Sequence, residues 1–384
     1  MRVKIVSFSS TGGAGNVAKT LNYGFNQLGI QSEFIYATTT NLRQDPLRHP
    51  GLLLSATIDN YFFKRQNWPT LVSLSRDKRS VLEQPIGRGD LTIFRWMNGL
   101  LGENFLDRNP EIENLAWGLD DMNPFTGVCH YSGECRGFET GCEGCPALRR
   151  SFAGGAQQNL QRKVAFAHYF NPSYVAPTDW INQEFDLSIM GKERESVKIL
   201  NPLPSRFFVE DKQEGNKSAQ LKLLIVAANL DDPTKGVWDV ADALSELLQQ
   251  SKVSLSMVGR ASKKLGSQLP EAEFLGQMDA QSIMAVMNRH DVLLVPSLFE
   301  NAGTVVAEAA SQGLPTIARR VGGMPEMTNY GQTGFLFDES ADLKQIVNTI
   351  TTRELEAKGK LAKEWAQQLK PELIAAQYVE AFLK

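Results

Sequence analysis

Two glutamates at one junction between a strand and a helix are the residues of this chain best suited to chemistry. Glu300 and Glu308 stand eight positions apart, and the apolar run 291–296 before them predicts a short buried strand. The segment 305–311 predicts the following helix. Small residues with unpaired N–H groups form the turn between them: Asn301, Ala302, Gly303 and Thr304. Such a turn at a helix N-terminus attracts an anion, most often a phosphate.

The two carboxylates can accept hydrogen bonds from hydroxyls at opposite ends of one ligand. Glu300 precedes the turn, whereas Glu308 lies about one to two turns into the helix. An anionic centre with hydroxyls on both sides describes a nucleotide-sugar. The two-glutamate spacing alone leaves an alternative open, namely two surface glutamates on an ordinary Rossmann-like helix.

The wider motif resembles the donor site of the retaining family-4 glycosyltransferases, which have the GT-B fold. It comprises the segments 296–300, 313–315 and 322–326, with the sequences Pro-Ser-Leu-Phe-Glu, Gly-Leu-Pro and Gly-Gly-Met-Pro-Glu. The resemblance extends over nearly the whole chain. It implies an α/β protein with two Rossmann-like doubly wound domains that face a central cleft. It also implies that Glu300 holds the donor sugar and the developing oxocarbenium ion, while Glu308 holds the ribose.

The resemblance assigns Lys235, at the start of a helix, to the donor diphosphate. A point charge in that place neutralises a leaving pyrophosphate, although a lysine in a loop is usually a solvated surface charge. The family often has an arginine a few residues earlier, where this chain has Ala228 and Asn229. Part of the phosphate charge would then fall to another cation, and Arg260 is the candidate.

A glycine-rich segment near the N-terminus resembles the loop with which these enzymes approach the diphosphate from the other domain. Its members are Gly12, Gly13 and Gly15. Glycine lets the backbone come within hydrogen-bonding distance of a phosphate. A tight turn from strand to helix without a ligand is the alternative.

The segment 117–131 narrows the resemblance to the colanic-acid-type polysaccharide glycosyltransferases. Asp120 stands where that group has a histidine that faces the donor sugar. A carboxylate can still bind sugar hydroxyls, and if buried it can act as a base. Alternatively, Asp120 orients the backbone and Asp121 is structural.

All four cysteines of the chain lie within this region: Cys129, Cys135, Cys142 and Cys145. Four clustered thiols in a cytosolic chain favour a closed structural zinc site over disulfides, and the last two have the spacing of a metal knuckle. His130 could replace one thiol. The first spacer is longer than usual, so free thiols or a disulfide stay open as alternatives.

Composition places the chain among ordinary globular proteins. Its 384 residues suggest two domains, and it has 42% hydrophobic and 22% charged residues. A net charge of −3 gives no reason to expect nucleic acid as a partner. No apolar run approaches the ~20 residues that cross a bilayer, and the N-terminus does not resemble a signal peptide. We therefore expect a cytoplasmic protein.

Two α/β halves follow from the order of strand and helix patterns. We predict an acceptor-side domain at 1–208 with the cysteine-rich insertion 129–145, a donor domain at 218–370, and a last helix at 371–384 that packs on the first domain. The polar segment 210–220 is the predicted linker, and the region 40–85 is expected to cover the acceptor cleft. Predicted strands of the first half are 3–8, 31–36, 91–96, 115–119, 164–167 and 174–177.

These features predict a retaining, metal-independent glycosyltransferase in cell-surface polysaccharide assembly. Its donor would be a UDP- or GDP-linked sugar, and its acceptor a glycan or lipid-linked sugar at the cytoplasmic membrane face. No convincing Asp-x-Asp metal motif is present. A nucleotide-sugar epimerase of GT-B shape and a non-catalytic nucleotide-sugar-binding protein are the alternatives, and no protein partner can be inferred.

Overall fold

The protein divides into two compact units, Met1–Pro202 with Pro371–Lys384, and Leu203–Lys370. The computed structural model describes residues 1–36, 64–65, 68–73, 82, 85–97, 100–101, 105–209 and 220–383. The second unit starts earlier than the expected linker because the Leu203 N–H donates to the Leu369 carbonyl at 2.8 Å. Most of the predicted linker, and most of the expected acceptor region 40–85, lie outside the described residues.

The first unit is built on a six-stranded parallel sheet with the order β2-β1-β3-β4-β5-β6. Its strands are β1 Arg2–Ser7, β2 Gln31–Tyr36, β3 Leu91–Phe94, β4 Leu115–Gly118, β5 Ser173–Ala176 and β6 Ser196–Lys198. Its helices are α1 Gly12–Gln27, α2 Phe105–Arg108, α3 Gly154–Phe170, α4 Asp179–Leu187 and, after the second unit, α12 Pro371–Phe382. The sheet order reverses between β1 and β3, which is the usual ligand position of such a sheet.

The predicted strand at 164–167 is wrong, because this segment lies inside α3. Its four apolar residues fit a buried strand or a buried helix equally well. The buried positions of α3 recur every three or four residues, as a helix face requires: Leu160, Lys163, Phe166, Ala167 and Phe170. The other predicted strands of the first half are confirmed, with ends that differ by a few residues.

The second unit is a six-stranded parallel sheet with the order β12-β11-β10-β7-β8-β9. Its strands are β7 Leu221–Asn229, β8 Val253–Arg260, β9 Glu273–Gly276, β10 Val292–Val295, β11 Thr316–Arg319 and β12 Gly334–Phe337. Its helices are α5 Val237–Gln249, α6 Lys263–Gln268, α7 Ala280–Met287, α8 Thr304–Ser311, α9 Met324–Met327, α10 Ser340–Thr349 and α11 Thr352–Ala366. Here the strand order reverses between β7 and β10, so the segments after these two strands meet at one edge.

The last helix belongs to the first unit, where α12 packs on α1. The contact is close: a Cβ on Gly24 would lie 2.2 Å from the Pro371 carbonyl oxygen. Ile374, Ala375 and Tyr378 of α12 are buried in the same cluster as Val3 and Ile5 of the sheet. Among the described residues, no helix is both long enough and apolar enough to cross a membrane.

Candidate active site

The reversal of strand order in the second unit brings Lys235 and Glu300 together. Lys235 follows β7, Glu300 follows β10, and the Lys235 Nζ lies 2.9 Å from a Glu300 carboxylate oxygen. The two turns are locked to each other, since the Leu298 N–H donates to the Thr234 carbonyl at 2.8 Å. Gly236 has φ +64°, and a Cβ there would lie 2.0 Å from the Pro296 carbonyl oxygen. Only glycine fits this position without strain.

The ion pair keeps the lysine cationic. Burial by itself would lower the pKa of Lys235, but the charge and hydrogen bond of Glu300, with help from Asp232, raise it. The lysine side chain keeps 35% of its exposure, so its ammonium is accessible to a ligand. A cation held ready at the carboxyl end of a parallel sheet suits a diphosphate.

Helix α8 begins beside this pair and is not capped by a side chain. Gly303 is the residue before its first turn and offers no side chain to cap the helix N–H groups. A Cβ on Gly303 would lie 3.0 Å from the Met324 methyl and 3.2 Å from Glu300 Cγ. The Gly323 N–H donates to the Glu300 carbonyl at 3.2 Å. This bond connects the segment 322–326 to the turn that contains Gly303. The predicted small-residue turn therefore precedes a helix N-terminus without a side-chain cap, as an anion site would require.

Glu308 lies within α8 and is half-buried. Burial raises its pKa to about 7, and the nearby Arg206 opposes this shift. A carboxylate in that state gains strongly from hydroxyl donors, which replace the water it has lost. This suits the ribose role that the resemblance implies.

The other predicted donor ligands are Arg260 in the second unit and three glycines in the first. Arg260 is the last residue of β8, which pairs with β7, and is exposed. In the first unit, Gly12, Gly13 and Gly15 form the first turn of α1 rather than a loop before it. Gly12 and Gly13 are exposed, with open space where a Cβ would stand, whereas a Cβ on Gly15 would lie 2.7 Å from the Ser9 carbonyl oxygen. Gly15 is thus explained by packing, and the other two leave backbone accessible.

Asp120, at the carboxyl end of β4 in the first unit, pairs with a residue that the sequence did not single out. The Arg95 guanidinium, only 1% exposed, donates to the Asp120 carboxylate. It also donates to Asn201 Oδ1 at 2.7 Å and to the Tyr378 hydroxyl oxygen at 3.1 Å. Burial raises the pKa of Asp120, while Arg95 acts against that shift. Asp120 therefore has a structural task, which is to neutralise a buried arginine.

Two further polar groups fix the loop that follows Asp120. The His130 ring bonds to the Asp121 carboxylate through Nδ1 and to the Ser73 hydroxyl through Nε2 at 2.9 Å. The buried Lys163 ammonium donates to the Asn123 and Thr126 carbonyls. Because both ring nitrogens of His130 are engaged here, the suggestion that His130 replaces a cysteine ligand is not supported. The sequence could have indicated the buried Lys163, because its charge falls on the same helix face as the apolar Leu160 and Phe166.

The four cysteines are free thiols that line a common pocket, with Cys129 and Cys145 buried. As the side chains stand, no three His, Cys, Asp or Glu residues in the described part of the chain are arranged to hold a metal ion.

Comparison with known families places the candidate site inside a matched region. Residues 221–352 match the profile of the family described as glycosyl transferases group 1. A protein of Escherichia coli K12, named for colanic acid biosynthesis as glycosyl transferase WcaC, is 23% identical over 80% of each chain. The N-acetyl-alpha-D-glucosaminyl L-malate synthase of Bacillus anthracis is 31% identical over 52% of this chain. This chain covers 55% of that relative's length.

Solved structures confirm the predicted GT-B fold. HepE of Anabaena, solved in complex with UDP-glucose, superposes with a TM-score of 0.60 over 99% of each chain at 17% identity. At this identity the likeness establishes the fold of the chain. The motif around Glu300 lies within the matched residues 221–352, in agreement with the family resemblance that it indicated.

Exchanging the two glutamates separately tests their division of roles. We expect Glu308→Gln to weaken nucleoside diphosphate binding by about 10- to 100-fold, because charge-assisted hydrogen bonds worth about 1.5–3 kcal/mol are lost. Glu300→Ala should remove turnover but leave diphosphate affinity unchanged or higher, because Lys235 loses a competing carboxylate. Calorimetry with UDP and GDP measures both, and Glu356→Ala, an exposed glutamate of the same unit, is the control. Equal losses of diphosphate affinity in both variants would contradict the assignment.

The raised pKa of Glu308 predicts a pH dependence of donor binding. Its pKa is about 7 in the free protein, so the carboxylate fraction grows as the pH rises through that value. The carboxylate accepts hydrogen bonds from hydroxyls more strongly than the protonated acid does, so affinity should rise between about pH 6 and about pH 8 and then level off. A nucleotide-sugar is the proper probe because its diphosphate does not titrate in this range. The same slope in Glu308→Gln would show that another group is responsible.

Removing the Arg95 cation should destabilise the first unit because a buried carboxylate is left without its partner. We expect Arg95→Met to cost about 3–5 kcal/mol of unfolding free energy, and Arg95→Met with Asp120→Asn to recover much of it. Chemical denaturation measures the cycle. The control is Arg136→Met at the half-exposed pair with Glu184, which should cost at most about 1 kcal/mol. If the unfolding free-energy changes of Arg95→Met and Asp120→Asn simply added in the double variant, the Arg95–Asp120 pairing would be refuted.

Proposed function

We propose that this protein transfers a sugar from a nucleotide-sugar to a glycan or lipid-linked acceptor, with retention of anomeric configuration. The observation that carries the proposal is the Lys235–Glu300 pair beside the uncapped N-terminus of α8, with Glu308 half-buried in that helix. One site thus offers a cation and helix N–H groups for a diphosphate and carboxylates for hydroxyls. The match of residues 221–352 to group 1 glycosyl transferases supports this use.

The proposed reaction needs no catalytic metal. The bond between the anomeric carbon and the leaving phosphate breaks while the acceptor oxygen attacks from the same face. The acceptor proton passes to an oxygen of the leaving diphosphate. Lys235 and the N-terminus of α8 take up the negative charge that develops on that leaving group, and Glu300 holds sugar hydroxyls and faces the oxocarbenium ion. Because an oxygen of the leaving diphosphate accepts this proton, the protein needs no side chain as a general base.

The donor base is proposed to be uracil or guanine, and the pathway to be cell-surface polysaccharide assembly. The solved HepE complex contains UDP-glucose, and the relative WcaC is named for colanic acid biosynthesis. We propose that the reaction takes place in the cytoplasm, with peripheral attachment to the membrane where the acceptor is lipid-linked. Neither proposal requires a nucleic acid or a second protein chain.

One observation favours a second candidate, a nucleotide-sugar-binding protein without turnover. Asp120 replaces a histidine of the related enzymes, and its carboxylate is engaged by Arg95. A side chain that neutralises a buried cation is less available to a donor sugar. The two candidates share the donor site and differ in the chemical step.

Donor screening followed by product analysis tests the proposal. Thermal stabilisation by UDP, GDP and their sugars identifies the base, and nuclear magnetic resonance of the product identifies the anomer. We expect one nucleotide series to stabilise the protein, the product to keep the donor configuration, and Lys235→Ala to lose turnover while the exposed-lysine control Lys263→Ala keeps it.

Three results would count against it. Binding without transfer or donor hydrolysis would establish the non-catalytic candidate. An inverted product would overturn the mechanism. A rate that falls at once on adding a chelator, and returns with magnesium or manganese, would show that a catalytic metal is required.

A further inference from the structure

The four cysteines of the chain converge on one pocket although they are spread over residues 129–145. Cys129, Cys135, Cys142 and Cys145 all line it. The remaining walls include Trp68, Val128 and Phe138, so the pocket is mainly apolar apart from the sulfurs. None of the four thiols forms a disulfide. Packing alone does not explain why all four cysteines of the chain line one pocket.

Three of the four sulfurs receive backbone N–H groups. The Gly127 N–H points at Cys142 Sγ with a distance of 3.3 Å, and the Gly137 N–H at Cys135 Sγ with 3.4 Å. Cys145 accepts from the N–H groups two and three residues after it, those of Ala147 and Leu148. Such N–H groups stabilise sulfur most when it carries negative charge.

The backbone between the last two cysteines is folded into the turn that this arrangement needs. Cys142 itself has φ +62°, an uncommon conformation for a residue other than glycine. Its neighbours Gly141 and Gly144 have φ +117° and +58°. A conformation that costs energy at a cysteine indicates a constraint on where its sulfur points.

A buried cation lies close to the same pocket. The Lys163 ammonium, held by the Asn123 and Thr126 carbonyls, interacts electrostatically with Asp121 and, more weakly, with Cys142 and Cys129. A lysine at 2% exposure is costly to bury, and the Asp121 carboxylate offsets part of that cost. Anionic sulfur ligands would add to this compensation.

We propose that this pocket is a structural site for a thiophilic divalent cation, zinc, bound by Cys129, Cys135, Cys142 and Cys145. The thiols as they stand do not form a coordination shell. Rotation about the Cα–Cβ bond selects among three staggered positions for each sulfur, and Cys135 and Cys142 are only partly buried. Each thiol that binds releases its proton to solvent, so four thiolates surround the cation and the site carries a net charge of about −2.

A closed shell of four thiolates leaves no position for a substrate, so the ion would be structural. Its effect would reach the loop after Asp120 through two contacts. The Thr126 hydroxyl donates to the Cys129 carbonyl at 2.7 Å, and the Gly127 N–H bonds to Cys142. Bound zinc would therefore hold the same turn whose carbonyls Lys163 binds.

Metal analysis of the full-length protein tests the proposal. Elemental analysis after purification without chelator should find about one zinc per chain, and a thiol-blocking mercurial should release it stoichiometrically. Cys145→Ser and the less disruptive Cys135→Ser should lose the zinc, whereas Ser132→Ala, which changes a non-ligand wall of the same pocket, should keep it. Cobalt substitution should give sulfur-to-metal charge transfer and the strong visible bands of tetrahedral coordination.

The outcomes separate this proposal from the transferase activity. Removing zinc should lower the melting temperature while the donor still binds, because the donor-site residues Lys235, Glu300 and Glu308 lie in the other unit. Metal-free folded protein with four titratable thiols would overturn the proposal. So would a disulfide among the four cysteines, or zinc that persists in both cysteine variants.

Discussion

The chemistry of this protein depends on one geometric constraint, the reversal of strand order in a parallel sheet. In a sheet of parallel strands, all carboxyl ends lie at one edge, and the connections diverge where the order reverses. In the second unit this point lies between β7 and β10, so the turns that carry Lys235 and Glu300 become neighbours. Gly236, with its positive φ, allows the backbone to pack closely at that point, and the uncapped start of α8 leaves N–H groups available there.

In the first unit, two buried cations bind the segment from Asp120 to Thr126. Arg95 donates hydrogen bonds to Asp120, Asn201 and Tyr378. These bonds connect the ends of β3 and β4 to α12. Lys163 binds the carbonyls that follow. Since a buried charge without partners costs several kcal/mol, each cation restricts the loop to conformations that supply its acceptors. Gly118 belongs to this arrangement, because a Cβ there would lie 2.6 Å from Arg95 Nη1.

The replacement of a histidine by Asp120 gains a physical explanation from this network. A neutral imidazole would not neutralise Arg95, whereas a carboxylate does. The aspartate and the buried arginine therefore form a unit, and changing one without the other leaves an uncompensated charge.

Sequence alone determined the features that depend on local pattern: the strands that flank Glu300, the small-residue turn, the two-unit α/β plan and the family resemblance. These follow from periodicity and from residue types that only a few backbone conformations accept. Tertiary structure alone decided which groups pair. The strand proposed at 164–167 is helical because Phe166 and Ala167 share a face with Leu160, which a four-residue run cannot reveal. Arg95 finds Tyr378 at 3.1 Å although 283 positions separate them, since hydrogen bonds between distant segments depend on how the strands and helices are brought together rather than on spacing along the chain.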